Sequence, residues 1–259
     1  MSTDLYSDFG TIKVTSQGTV RVVTLSRPGA YNAVDRQMHG ELSTLWSRLA
    51  QDGDARAVVI TGEGKAFSSG GDMDLMRVMR HDIEQRRVLM DEARDIVVNA
   101  MQCPLPVVAA VNGPAVGLGC SIVLLSDLVI MHPKAYMADP HVSIGLVAGD
   151  GGAVMWPLLA GLASAKEFLF TGDRLYGEEA VRTGVATRVS DEPLATALKL
   201  ATRLAAQPHE ALAATKRAIN MHASHAVQTV LPYGLEAETA SFDSTEHADA
   251  LAAIARRKS

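Results

Sequence analysis

Two glycine-rich stretches carry the groups best suited to chemistry. One runs Gly62-Glu63-Gly64-Lys65 and on through Ala66-Phe67-Ser68-Ser69-Gly70-Gly71-Asp72. The other runs Asn112-Gly113-Pro114-Ala115-Val116-Gly117-Leu118-Gly119-Cys120-Ser121. Each follows a short apolar, β-branched run, Ala57 to Thr61 and Pro106 to Val111, the pattern of a strand buried on both faces. A strand that turns through glycines into a helix start leaves backbone N–H groups without partners. Such groups stabilise an oxygen that is gaining negative charge. One stretch alone is a common structural turn; two in one α/β chain can aim paired donors at one oxyanion.

An oxyanion site moves no proton, so a reaction also needs an acid or a base beside it. His141 follows Asp139-Pro140, and Asp150 sits inside Gly149-Asp150-Gly151-Gly152. By type alone, His141 reads as a hydrogen-bonded loop residue. Asp150 reads either as a helix N-cap or as a carboxylate facing a ligand. A histidine held by a carboxylate can activate water or shuttle a proton. Met73, Met76 and Met79 read first as core filler and second as the lining of an acyl pocket. Glu236 and Glu238 lie in a C-terminal segment that could approach such a site, but read first as solvated helix residues. Cys103 and Cys120 lie in or beside apolar segments and read as buried free thiols. So few cysteines, with no clustered histidines, argue against a metal site.

These groups need elements to hold them. Thr11 to Thr15 and Thr19 to Leu25 form a hairpin around Ser16-Gln17-Gly18. Arg27 to Ala33 is a turn, and Val34, Met38, Leu42, Leu45 and Leu49 keep helical spacing. Asp72 can cap a short helix. Arg80-His81-Asp82 and Glu84 to Arg87 read as the exposed part of a mobile helix, followed by a helix over Val88 to Met101. Asp127 to Met131 is another buried strand, and Ala153 to Leu162 an apolar helix. Helices are expected over Leu194 to Ala206, His209 to Met221 and Thr245 to Arg257. Strands alternating with helices, then helices alone, describe an α/β body with a helical C-terminal part.

The chain has 259 residues, 47% hydrophobic and 20% charged, with a net charge of -5. That balance fits a globular protein and argues against a nucleic-acid partner. No uncharged apolar run reaches the roughly 18 residues that span a membrane, and the first ten residues show no cationic or apolar leader region. A cytoplasmic setting is expected.

AFSSGGD followed by PVVAAVNGPAVGLGC resembles the two signature segments of the enoyl-CoA hydratase/isomerase (crotonase) superfamily. The likeness extends to RPGAYNA, to TGDRLYGEEA and to the C-terminal helices, and so spans nearly the whole chain. It implies a spiral of β-β-α turns over residues 1–195, holding the CoA and oxyanion site. It also implies a helical trimerisation region over 196–259, giving a homotrimer or a dimer of trimers. The implied substrate is an acyl-CoA, with coenzyme A as part of the substrate and no permanent cofactor or metal. Carried over by position, the oxyanion donors are the N–H groups of Gly71 and Leu118. CoA would run along Gly29, Ala30, Tyr31, Ala33, Gly70, Asp72, Met73 and Asp74.

Hydratases of that family use two glutamates, and the matching positions here are Ser121 and His141. A serine cannot act as a general base near neutral pH unaided. His141 and Asp150 are therefore expected to handle protons or water, with hydration, isomerisation and hydrolysis all open. A few hydrolases of the superfamily cleave β-diketones with a His and Asp pair in this region, so C–C bond hydrolysis without CoA is an alternative. A non-catalytic member that only binds acyl-CoA is another.

Overall fold

In the computed structural model, which describes residues 5–258 with side chains through 256, the chain opens as an antiparallel hairpin of β1 (Ile12–Gln17) and β2 (Val20–Leu25). Residues 1–4 of the leader expectation lie outside that range. A 3₁₀ turn at Pro28–Ala30 and α1 (Arg36–Gln51) lead to β3 (Ala57–Gly62), which pairs parallel with β2. Next come α2 (Met73–His81), α3 (Ile83–Gln102) and β4 (Val107–Val111), parallel to β3. Then β5 (Ala115–Val116), α4 (Leu118–Leu124) and β6 (Leu128–Met131) follow, β6 lying parallel to β4. β7 (Tyr136–Ala138), a 3₁₀ turn at Val142–Ile144, α5 (Gly152–Thr171), β8 (Leu175–Tyr176), α6 (Gly177–Arg182) and β9 (Arg188–Val189) complete the strands. The chain ends in α7 (Pro193–Ala205), α8 (His209–Ser241) and α9 (Thr245–Lys258).

The main sheet has the order β1-β2-β3-β4-β6-β9, and a second sheet has the order β5-β7-β8. From β4 onward the chain passes back and forth between the two sheets, and this alternation is the expected spiral. Single bridges, Val34 to Gly71 and Ser68 to Ala115, continue the second layer toward the N-terminus.

The main sheet is covered on both faces, which is why β3 and β4 read as unbroken apolar runs. Leu42, Leu45, Trp46 and Leu49 of α1 belong to the larger core. On the other face Ala197 and Ala201 of α7 pack on Val59, Val108 and Ile130. The division expected at residue 195 thus runs through α7, a helix that serves the sheet.

Two expectations are corrected. Within the charged stretch over 80–87, His81, Asp82, Glu84 and Arg87 are exposed as expected, but Arg86 is buried: it donates to both oxygens of Asp243 and to Thr239 O, while Arg80 donates to Phe242 O and Ser244 O. The helix expected to stop at Met221 continues to Ser241, through Pro232. By length and hydropathy α5 alone among the described helices would fit a bilayer. Its backbone is non-helical at Gly161, however, and Trp156 in its first half is fully buried.

Candidate active site

The two glycine-rich stretches lie side by side. Val116 N donates to Ser68 O at 2.9 Å, and Phe67 N and Ser68 N both donate to Pro114 O at 3.0 Å. Gly119 makes this approach possible: a Cβ there would stand 2.6 Å from Ser68 Cβ. At the first exit, Val34 N donates to Gly70 O (2.8 Å) and Asp72 N donates to Val34 O (2.9 Å). Alternation along an extended chain turns the intervening Gly71 N–H to the other side. At the second exit, Leu118 is the first residue of α4, so its N–H has no intrahelical acceptor. Gly71 and Leu118 line one cavity of about 260 Å³.

That cavity also receives His141, Asp150 and Glu238. His141 is buried just past β7. Its Nδ1–H donates to Asp139 Oδ1, and its Nε2 lies 3.7 Å from Asp150 Oδ2. Burial disfavours the imidazolium, but the charges of Asp139 and Asp150 outweigh it and push the His141 pKa well above the usual value. Burial likewise pushes Asp150 up, against the pull of the His141 charge. Asp150 is not an N-cap: Gly151 holds that position, and the Asp150 carboxylate accepts from Ser121 Oγ at 3.2 Å. Ser121 thus orients a carboxylate rather than contributing chemistry from the lining.

Glu238 corrects the reading of a solvated helix residue. It is 5% exposed, and its Oε2 has no hydrogen-bond partner. Burial first, then the Asp150 charge, push its pKa up to about 8. Glu238 reaches the cavity because α8 comes very close to the Asp150 loop. A Cβ on Gly149 would stand 2.3 Å from Gly234 O, one turn before Glu238. The signal was present in the sequence: Leu231, Leu235, Glu238 and Phe242 share one helical face. His39 was missed in the same way. It falls on the α1 stripe with Leu42 and Trp46, lines the cavity, and bonds through Nδ1 to Glu92 Oε2 at 2.7 Å. Asp139, which holds His141, had no signal beyond its position before Pro140.

Met73, Met76, Met79 and Met90 all line the cavity, while Met79 and Met90 also belong to the larger core and Met76 packs against it. Gly70 lines it too. Gly29, Ala30, Tyr31 and Ala33 do not; their turn lies against the first glycine stretch, where Ser69 N donates to Tyr31 O at 3.0 Å. Asp72 caps α2 through Asp74 N and pairs with Arg27, and Asp74 pairs with Arg77 at the surface. A larger hollow of about 740 Å³ between α3 and α8 contains neither strand exit nor any of these acids. Among the described residues no group of three metal-ligating side chains comes together.

A family model described as enoyl-CoA hydratase/isomerase matches residues 15–256. A short-chain-enoyl-CoA hydratase of Clostridium acetobutylicum is 31% identical over 245 residues, covering 93% of each chain. Among solved structures, an enoyl-CoA hydratase/isomerase from Mycobacterium paratuberculosis superposes with a TM-score of 0.93 at 44% identity, over 95% of this chain and 99% of that one. One from Xanthobacter autotrophicus Py2 gives 0.87 at 29% identity, over 96% and 94%.

Proposed function

The chain belongs to the enoyl-CoA hydratase/isomerase family, and on that premise we propose that this enzyme acts on a coenzyme A thioester whose carbonyl oxygen sits between the N–H groups of Gly71 and Leu118. The observation that supports this most is that Gly71 and Leu118 line the cavity that also holds His141, Asp150 and Glu238. Negative charge that develops on the oxygen as an enolate forms would be held by two fixed donors, each worth on the order of 3 kcal/mol in comparable sites. The acyl chain lies against the methionines. Coenzyme A, as part of the substrate, runs along Gly29 to Ala33 and Gly70 to Asp74. No permanent cofactor is needed.

Proton handling falls to the buried acids. Asp139 fixes the His141 ring, so Nε2 is the nitrogen that exchanges a proton with Asp150 or with the substrate. With its pKa raised, His141 carries a proton near neutral pH and gives it up as a general acid, with Asp150 as the paired base. Glu238, neutral below about 8, is a further donor. Ser121 supplies no base where hydratases have a glutamate, so hydration of crotonyl-CoA should be slow, by ~10²-fold or more relative to two-glutamate relatives. The loss of crotonyl-CoA absorbance measures this, and fast hydration unaffected by His141→Gln or Asp150→Asn would refute the assignment.

A second reading, hydrolysis of a C–C bond in a β-diketone without CoA, is favoured by one observation. The Asp150 carboxylate faces the His141 ring at 3.7 Å, placing a base and an acid side by side, as water attack on a carbonyl and departure of the carbon leaving group require. Tight binding of butyryl-CoA decides for the first reading; diketone cleavage without thioester binding decides for the second.

Assembly as a homotrimer or a dimer of trimers belongs to the same proposal. Leu162 and Phe170 of α5 and Ile219, Met221 and Tyr233 of α8 are exposed apolar side chains that neighbouring copies would cover. Light scattering checks it. Two unpaired buried cysteines suit the reducing cytoplasm.

A further inference from the structure

His39 enters the cavity from α1, on a wall that the chemistry above does not use. Its Nδ1 lies 2.7 Å from Glu92 Oε2, and Arg36 holds both Glu92 oxygens at 2.8 and 2.7 Å. Burial raises the proton affinity of Glu92, but the His39 bond and the Arg36 charge outweigh it and bring the pKa below its usual value. An ionised carboxylate only accepts, so Nδ1 carries a hydrogen toward Glu92 and Nε2 is the ring nitrogen left free of that bond. The ring is 8% exposed, Nε2 has no hydrogen-bond partner among the described residues, and Leu89, Met90 and Ala93, which line the same cavity, offer none. Tying α1 to α3 does not require this histidine, because Arg36 already makes that link with two bonds to Glu92. The other titratable groups of the same cavity are Asp150, His141 and Glu238.

We propose that His39 is a second proton-transfer residue of this site, whose Nε2 takes a proton from the substrate's α-carbon and returns it. This rests on the thioester reading above. The C–H bond breaks and its electron pair passes into the enolate, placing negative charge on the thioester oxygen between Gly71 and Leu118. The proton forms the Nε2–H bond, and Glu92 beside Nδ1–H stabilises the imidazolium. The reverse step restores the thioester, with a solvent-derived proton once the imidazolium has exchanged.

The test is deuterium uptake at the α-carbon of butyryl-CoA in deuterium oxide, with wild type, His39→Gln, Glu92→Gln and His141→Gln, alongside the butyryl-CoA Kd. Wild type should exchange. His39→Gln should slow exchange by ~10²-fold or more with the Kd unchanged. Glu92→Gln should move the pH midpoint of exchange to lower values, because the imidazolium loses its carboxylate; a merely structural link would lower Tm without moving that midpoint. Should His39→Gln fail to fold, the Glu92→Gln midpoint decides. Exchange at the wild-type rate in His39→Gln, or its loss in His141→Gln alone, overturns the proposal. Binding without exchange in wild type also overturns it and leaves the thioester reading standing. Absence of binding overturns both.

Discussion

His141 Nε2 stands 3.7 Å from Asp150 Oδ2 while its Nδ1 is bonded to Asp139. Asp139 therefore fixes the ring, and Asp150 faces its working nitrogen. Asp139→Asn removes the charge that most opposes the burial penalty, so the His141 pKa should fall toward or below that of a free imidazole. Histidine NMR titration reads this directly. Activity at neutral pH should drop by ~10²-fold or more. Asp150→Asn should also lower the pKa but leave the ring in place.

Glu238 gives a stability signature. Its folded pKa is about 8 against 4.5 for the ordinary side chain. Below 4.5 both states are protonated and the group is neutral in its effect. As pH rises from 4.5 to about 8, only the unfolded chain ionises, and stability is lost by roughly 1.4 kcal/mol per pH unit. Glu238→Gln should match wild type near pH 4.5 and exceed it at pH 8.5 by several kcal/mol at most. Urea denaturation at the two pH values measures the gap.

Gly119→Ala should open the contact between the two glycine-rich stretches. The new methyl would meet Ser68 Cβ at 2.6 Å and Ser68 O at 3.0 Å, both on a segment tied down by backbone bonds. Overpacking of this kind costs about 1–3 kcal/mol. The measurable outcome is a lower Tm with a larger fall in kcat than in thioester affinity, since the two donors move apart.

Arg86→Ala should free the turn between α8 and α9. The buried guanidinium holds Asp243 and Thr239 O, and Phe242, Leu251 and Ile254 beyond it wall the cavity. Charged hydrogen bonds of this kind contribute on the order of 1–3 kcal/mol. Limited proteolysis should cut residues 241–245 sooner than in wild type, and acyl-CoA affinity should fall.

Both strand exits were legible because β3 and β4 are buried on both faces and end in glycine turns; the spiral was legible only through the family resemblance. His141 and Asp150 were legible as a pair only through the family positions. Glu238 lay on a legible apolar stripe but was masked, because Pro232 reads as a helix stop, whereas α8 carries it inside one continuous helix. Arg86 was misread for a different reason: Asp243, its partner, lies 157 residues away, and no local pattern reports a contact at that range. His39 sat in plain view on an apolar stripe, where a single polar residue should prompt the question of what it faces.

The cavity has one compliant side and one unyielding side. Met76, Met79 and Met90 are unbranched, polarisable chains that reshape around whatever they enclose. Where Gly149 meets Gly234, by contrast, there is no space for a single added carbon. Descendants of this chain that take up different cargo can change the methionine side in small, independent steps. The glycine contact admits no such drift, so the acids it brings together are inherited as a block.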